Sequence, residues 1–195
     1  MKIRIAAFSL LTLVSSASAG ELKGNCELRI LGTSTLHDFA GTVRCQPFPL
    51  SLVGGSDGRM VIPEVEISVL VEEMDTRNKT RDKQMREMFQ NEKFQRIQAV
   101  LSNLDPDKIR QEMRKDPNGK GTLEFILKIR DVERRIQAVI GNLREISGRV
   151  SFDAEFPVSL KEYNLTPPTV FFGIVRVGDK VTVNAAFQLE DVPPK

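Results

Sequence analysis

The stretch that most constrains this chain is CELRILGTSTLHDFAGTVRC, residues 26–45. Folded about the midpoint between Thr35 and Leu36, it sets Cys26 against Cys45, Leu28 against Val43 and Ile30 against Gly41, the pairing of an antiparallel hairpin. Alternation agrees on both arms. Cys26, Leu28 and Ile30 share one face with Glu27 and Arg29 on the other, while Val43 and Cys45 share a face opposite Thr42 and Arg44. Both cysteines therefore fall on the same face of one ribbon, at the end away from the connection. Directly opposed residues suit a disulfide, and closing a loop of this length adds roughly 3 kcal/mol in the chain-entropy account. Two reduced, buried thiols are the alternative that the pattern leaves open.

Residues 1–19 read as a secretory signal peptide. Lys2 and Arg4 give a positive start, Ile5 to Val14 form an apolar run, and Ala17-Ser18-Ala19 offers a small-residue cleavage site that leaves Gly20 first. The apolar run is too short to span a bilayer, and no later stretch approaches the roughly 20 apolar residues a transmembrane helix needs, so stable membrane insertion is not expected. Lys23-Gly24-Asn25 precede Cys26 in place of the apolar and small residues of a lipoprotein site, which argues against a lipid anchor. Residues 20–195 then form one exported, soluble domain, and export with an even cysteine count favours the bridge.

Removing residues 1–19 takes away two of the 28 basic residues and none of the 26 acidic ones, leaving a formally neutral chain. Without a basic excess, and with no Lys/Arg run longer than a pair, nucleic acid is not expected as a partner. Tryptophan is absent and Tyr163 is the one tyrosine, so little of the aromatic machinery that grips sugars or bases is present; eleven phenylalanines point to an apolar interior.

Strand patterns dominate. Met60–Val71 alternates, with Pro63 implying an edge position or a bulge. Ile97, Ala99 and Leu101 follow, then Leu123, Phe125, Leu127 and Ile129, then Ile136–Ile140 after a polar reversal at Asp131–Arg135. Val150, Phe152, Ala154, Phe156 and Val158 form another set, and Val181, Val183, Ala185, Phe187 and Leu189 the last, entered through Gly178-Asp179 as a two-residue hairpin turn. With the opening hairpin this makes about eight strands, or nine if Val170–Val177 pairs with the last. Many antiparallel strands in one small domain mean a sandwich or a barrel. Two segments read as helical: Lys79–Phe94, with Met85, Met88 and Phe89 on one stripe, and a short helix opened by Asp105-Pro106-Asp107, running to about Lys115 and ended by the turn Asp116-Pro117-Asn118-Gly119.

Four segments in order carry a resemblance. They are Thr33-Ser34-Thr35-Leu36-His37-Asp38-Phe39 with Gly41; Thr76-Arg77-Asn78 with Arg81-Asp82 and the helix to Phe94; the hairpin Leu123–Ile140; and Phe156-Pro157-Val158-Ser159-Leu160 with Tyr163 through Val183. In this order and spacing the chain resembles the YceI-like family over nearly all of residues 20–195. The resemblance implies a bacterial periplasmic or secreted protein, mainly all-β. Its fold would be a single lipocalin-like antiparallel barrel of about eight strands with one or two short helices, enclosing a long polyisoprenoid or quinone-type lipid. Gln95 departs from the family's usual proline, and 104–121 is longer and more charged than usual, so the barrel mouth is expected to differ.

A barrel of this size is filled by side chains or holds one slender ligand, and its inward positions alternate along each strand. The inward candidates are Leu28, Ile30, Val43, Ile67, Val69, Phe125, Leu127, Phe152, Ala154, Val183, Ala185 and Phe187, with His37 and Phe39 at the entrance. Such a lining solvates an apolar tail at roughly 25 cal/mol per Å² removed from water. The same residues could equally fill a core, with Ala154 and Ala185 the places where space would remain.

Catalysis is not expected. Ser34, His37 and Asp38 lie too close in sequence for a triad, which is assembled from separated positions. One histidine and two cysteines leave too few ligands for a zinc or haem site, so neither metal nor cofactor is expected. Glu72, Glu73 and Asp75 among Arg77 and Arg81 read as ordinary surface charge. The favoured reading is an exported carrier of a polyisoprenoid or quinone-like amphiphile. The alternative is an envelope protein-interaction module with a filled barrel, docking through Lys79–Glu92 and Asp105–Lys115. A hydrolase or redox enzyme using His37 ranks third. A homodimer through an edge strand such as that of Pro63 stays open.

Overall fold

The computed structural model describes residues 20–55, 58–167, 169–170 and 175–192, so the signal-peptide expectation for residues 1–19 lies outside it. Strands β1 (Gly20–Ser34) and β2 (Phe39–Arg44) pair antiparallel in the register that reflection predicts, Leu28 opposite Val43 and Ile30 opposite Gly41. Cys45 N–H donates to the Cys26 carbonyl at 2.9 Å, and the two side chains form a disulfide with their Cα atoms 5.3 Å apart.

β1 extends further toward its N-terminus than the hairpin requires. Its first residues pair with β3 (Phe48–Gly54), from Gly24 opposite Phe48 to Gly20 opposite Leu52. β2 and β3 thus lie end to end along one side of β1, broken at Cys45-Gln46-Pro47. β4 (Met60–Leu70) covers their other side: Val53 faces Val61, and beyond the break Gln46 N–H donates to the Ser68 carbonyl at 2.8 Å while Cys45 bridges to Val69. Hydrogen bonds therefore hold the break from both flanks, which is how the ladder tolerates a proline that cannot donate.

After β4 come a 3-10 turn (Val71–Glu73) and helix α1 (Lys79–Phe89), whose N-cap Asn78 accepts from Arg81 N–H at 3.0 Å. α1 stops short of Phe94 because Gln90 takes a left-handed conformation and returns its N–H to the last carbonyls. β5 (Arg96–Leu104) is followed by α2 (Pro106–Lys115), capped by Asp105 with proline in the first turn, as its sequence predicts. β6 (Gly121–Ile129), β7 (Val132–Ile146), β8 (Arg149–Ser159) and a 3-10 turn (Lys161–Tyr163) lead to the two-residue β9 (Thr169–Val170) and the long β10 (Val175–Asp191). The ladder runs β1-β3-β4-β5-β6-β7-β8-β10 and closes because β10 also pairs with β1, giving a closed eight-strand antiparallel barrel with β2 as an extra strand beside β1.

Four expectations need correction. The strand carrying Pro63 is no edge: β5 pairs along it, and the proline falls opposite Asn103, whose positive φ of 54° marks a local irregularity. The reversal at Asp131–Arg135 is shorter, since Ile129 already faces Val132 across Arg130-Asp131. Gly178-Asp179 makes no turn. β10 runs straight through it, and the register against β1 slips between Gly32 and Ser34, so the extra residues are absorbed as a bulge. There Asp179 accepts from Lys161 N–H and Ser159 Oγ at 2.8 Å each, and these bonds hold its carboxyl below the usual range. Val170 does pair with Val175, but Val175–Val177 belong to the last strand itself, and residues 171–174 lie outside the described set. β3 was not anticipated.

Candidate functional site

Period-two alternation sends one side of every strand inward, and among the described residues the inward side chains line adjoining apolar cavities of about 370 Å³ and 130 Å³. Leu28, Ile67, Val69, Phe125, Leu127, Phe152, Ala154, Ala185 and Phe187 line the larger, and Ile30, Val43 and Val183 line the smaller. Every inward candidate thus borders a cavity. Leu28, Val69, Ile97, Leu127 and Phe156 border both, so the two cavities adjoin along this stretch of wall.

Volume remains in the larger cavity because of one small pair. Ala154 on β8 stands directly opposite Ala185 on β10. The next inward step along both strands is Phe152 opposite Phe187, stacked with ring centres 4.8 Å apart, while Phe156 meets Phe125 edge-on at 5.1 Å on the other side. Aromatic rings therefore bracket an alanine-floored space. Phe48, Leu50 and Leu52 of β3 complete the wall; sequence reading missed them because Pro47 and Pro49 mask a short alternation.

At one end α2 lies against β4 and β6, with Ile109 and Met113 in the cavity wall. The charged groups of this lining are Asp107, Arg110 and Glu145, and they neutralise one another: Arg110 Nε donates to Glu145 at 2.7 Å and Nη1 to Asp107 at 2.9 Å. The hydrogen bond to Glu145 outweighs partial burial and raises the Arg110 pKa, so the guanidinium stays charged. At the other end α1 contributes Met85, Met88, Phe89 and Arg81 to the smaller cavity, beside Met74 and Phe39.

The two entrance candidates separate. Phe39 is half-buried and lines the smaller cavity. His37 is exposed and lines neither; its carbonyl accepts from Ser34 Oγ at 2.7 Å, so it shapes the β1–β2 connection. Ser34 is thereby committed to backbone. Among the described residues no group of three or more His, Cys, Asp or Glu side chains converges, and no helix is long and apolar enough to cross a membrane.

The chain matches the YceI-like domain over residues 14–189. It belongs to the YceI-like family. Solved structures share its architecture at low identity. Burkholderia cenocepacia BcnA superposes with a TM-score of 0.60 at 13% identity, covering 84% of this chain and 95% of that one. A polyisoprenoid binding domain from Saccharophagus degradans, implicated in plant cell wall breakdown, gives 0.58 at 11% identity, covering 87% and 98%. The Campylobacter jejuni YCEI protein gives 0.52 at 11% identity over 100% of both. No curated protein matches the sequence. Identities this low speak to the YceI-like barrel itself; what this barrel holds has to be argued from its own lining.

Proposed function

We propose that this YceI-like protein is an exported lipid-binding protein that holds or carries a polyisoprenoid or quinone-like amphiphile inside its barrel. One observation carries the reading: the protein's own side chains leave about 370 Å³ of apolar interior unfilled. Interiors normally pack as tightly as organic crystals with few voids larger than a water molecule, so an apolar space of this size is not what an ordinary core leaves. A barrel that merely needed a core would put larger side chains into that space, beginning at the facing pair Ala154 and Ala185. The volume lies in the range of small-molecule sites, and a second apolar cavity adjoins it along a shared wall, which suits a long tail. The fold neighbour from S. degradans is a polyisoprenoid-binding domain, which supports the same ligand class here.

Export is supported by the disulfide, a bond that persists in oxidising compartments, and by the signal-peptide character of residues 1–19. In mechanism, the twelve inward residues would contact the tail and hold it by burial alone, at roughly 25 cal/mol per Å² of apolar surface. The test is native mass spectrometry of protein purified from its own cell envelope or medium, followed by organic extraction. A copurifying species that extracts as an isoprenoid or quinone is the expected result. Bare protein that takes up no long-chain amphiphile on challenge overturns the reading and leaves the interaction module.

A further inference from the structure

Arg81 and Arg110 border the two cavities from opposite ends of the barrel, and their surroundings differ in one respect. Arg110 is held by two carboxylates, 2.7 Å from Glu145 and 2.9 Å from Asp107. An anion arriving there meets a net negative mouth and must break an existing ion pair to reach the guanidinium. Arg81 has no carboxylate partner among the described residues, and the acids near it in sequence are engaged elsewhere. Asp82 is buried, accepting from Thr76 N–H at 2.9 Å and Thr76 Oγ1 at 2.6 Å, and Asp75 accepts from Arg77 N–H at 2.7 Å. The Arg81 guanidinium instead lies 4.9 Å from the centre of the Phe39 ring, half-buried at an apolar mouth.

A half-desolvated guanidinium against an aromatic face presents up to five N–H donors in a planar fork, the geometry that takes carboxylate and phosphate in bidentate fashion. Beside it stand Met74, Met85 and Met88, unbranched thioethers that repack around irregular shapes. The larger apolar volume lies on the far side of the shared wall, at the end where paired charges offer an anion nothing.

We propose that Arg81 is the anchor for an anionic head group, so that the ligand lies with its head at the α1 end and its tail passing Leu28, Val69 and Leu127 into the larger cavity beneath α2. This rests on the lipid-binding reading above and narrows its ligand to long-tailed amphiphiles carrying a phosphate or a carboxylate.

The test compares two matched pairs of probes on the purified protein by titration calorimetry: geranylgeranyl monophosphate with geranylgeraniol, and palmitate with hexadecanol. The anionic member of at least one pair is expected to bind roughly tenfold tighter, and the pair that shows it identifies phosphate or carboxylate as the head. Arg81→Gln removes the preference, the anionic probe losing roughly tenfold more affinity than its neutral partner; Arg81→Lys restores part of it. Lys83→Gln, which removes an exposed cation two residues along α1, keeps it. Equal affinity within both pairs, or a preference that survives Arg81→Gln and disappears in Arg110→Gln, overturns the proposal while leaving lipid binding intact. Failure of all four probes to bind overturns the lipid reading together with it.

Discussion

The ring of Phe48 fills the space that a β-carbon on Gly24 would need, directly across the β1–β3 pair. Gly32 and Phe39 repeat the arrangement at the other end of β1, across the β1–β2 pair. Each half of the broken strand thus lays an aromatic side chain over a glycine of β1, and the barrel is sealed where its ladder is interrupted. The two pairs differ in burial: Phe48 is 5% exposed, Phe39 only half-buried. Gly24→Ala is therefore expected to cost about 1–3 kcal/mol in chemical denaturation, because Phe48 has nowhere to move except into the cavity. Gly32→Ala costs less, since Phe39 can swing outward. Equal losses in the two variants would show that burial does not govern the response.

Cys26 and Cys45 clamp the same seam at the break itself, 19 residues apart in sequence. Replacing both by serine removes the cross-link from the unfolded chain and is expected to lower stability by roughly 3 kcal/mol, read as a lower denaturation midpoint with a steeper slope as the freed unfolded chain exposes more surface. A shift below about 1 kcal/mol would mean that the paired backbone, through Cys45 N–H and Gln46 N–H, holds the break unaided.

What could be read from sequence follows from how local each interaction is. The opening hairpin was legible because its register is a reflection and its faces alternate, and α2 because Asp105 and Pro106 are a cap and a first turn that need no tertiary partner. β3 was not, because prolines at 47 and 49 are poor strand residues anywhere but beside a break that β1 and β4 bind from both sides. Gly178-Asp179 has the chemistry of a turn, yet β1 and β8 capture the residues around it and make it a bulge. Inward faces were legible through their period of two. Whether they leave a cavity depends on how eight strands pack, and the Arg110–Glu145 contact at its mouth joins residues 35 positions apart.

Tyr163 is fully buried, and its hydroxyl has no hydrogen-bond partner among the described residues. Burial pushes its pKa up to about 12, with nearby Arg134 opposing the shift and Glu162 adding to it. The unfolded chain loses this proton near pH 10 while the folded protein keeps it, so between pH 10 and about 12 the unfolded state binds fewer protons and stability falls as pH rises, by up to about 3 kcal/mol. Below pH 10 the group contributes no pH dependence. Tyr163 is the one tyrosine and tryptophan is absent, so tyrosinate absorbance reports this site alone. It is expected to appear together with unfolding, and ionisation near pH 10 in the folded protein would contradict the burial argument. Tyr163→Phe should be at least as stable as the parent at neutral pH, since it removes an unsatisfied buried hydroxyl.

Ala154 and Ala185 offer the most direct control over the proposed ligand. They face each other across β8 and β10 at 6% and 3% exposure, and both border the larger cavity. Enlarging either to phenylalanine places a ring in the space between the Phe152–Phe187 stack and Phe156. Excluding even about 60 Å² of ligand surface forfeits roughly 1.5 kcal/mol, so affinity for a long-chain amphiphile is expected to fall about tenfold in each single variant and further in the double. Because the new ring fills space that side chains leave open, thermal stability should hold or rise, the opposite of overpacking a filled core, which costs about 1–3 kcal/mol. The two readouts therefore separate the readings: weaker binding with preserved stability marks a ligand cavity, whereas a loss of stability with no effect on binding marks a core already full.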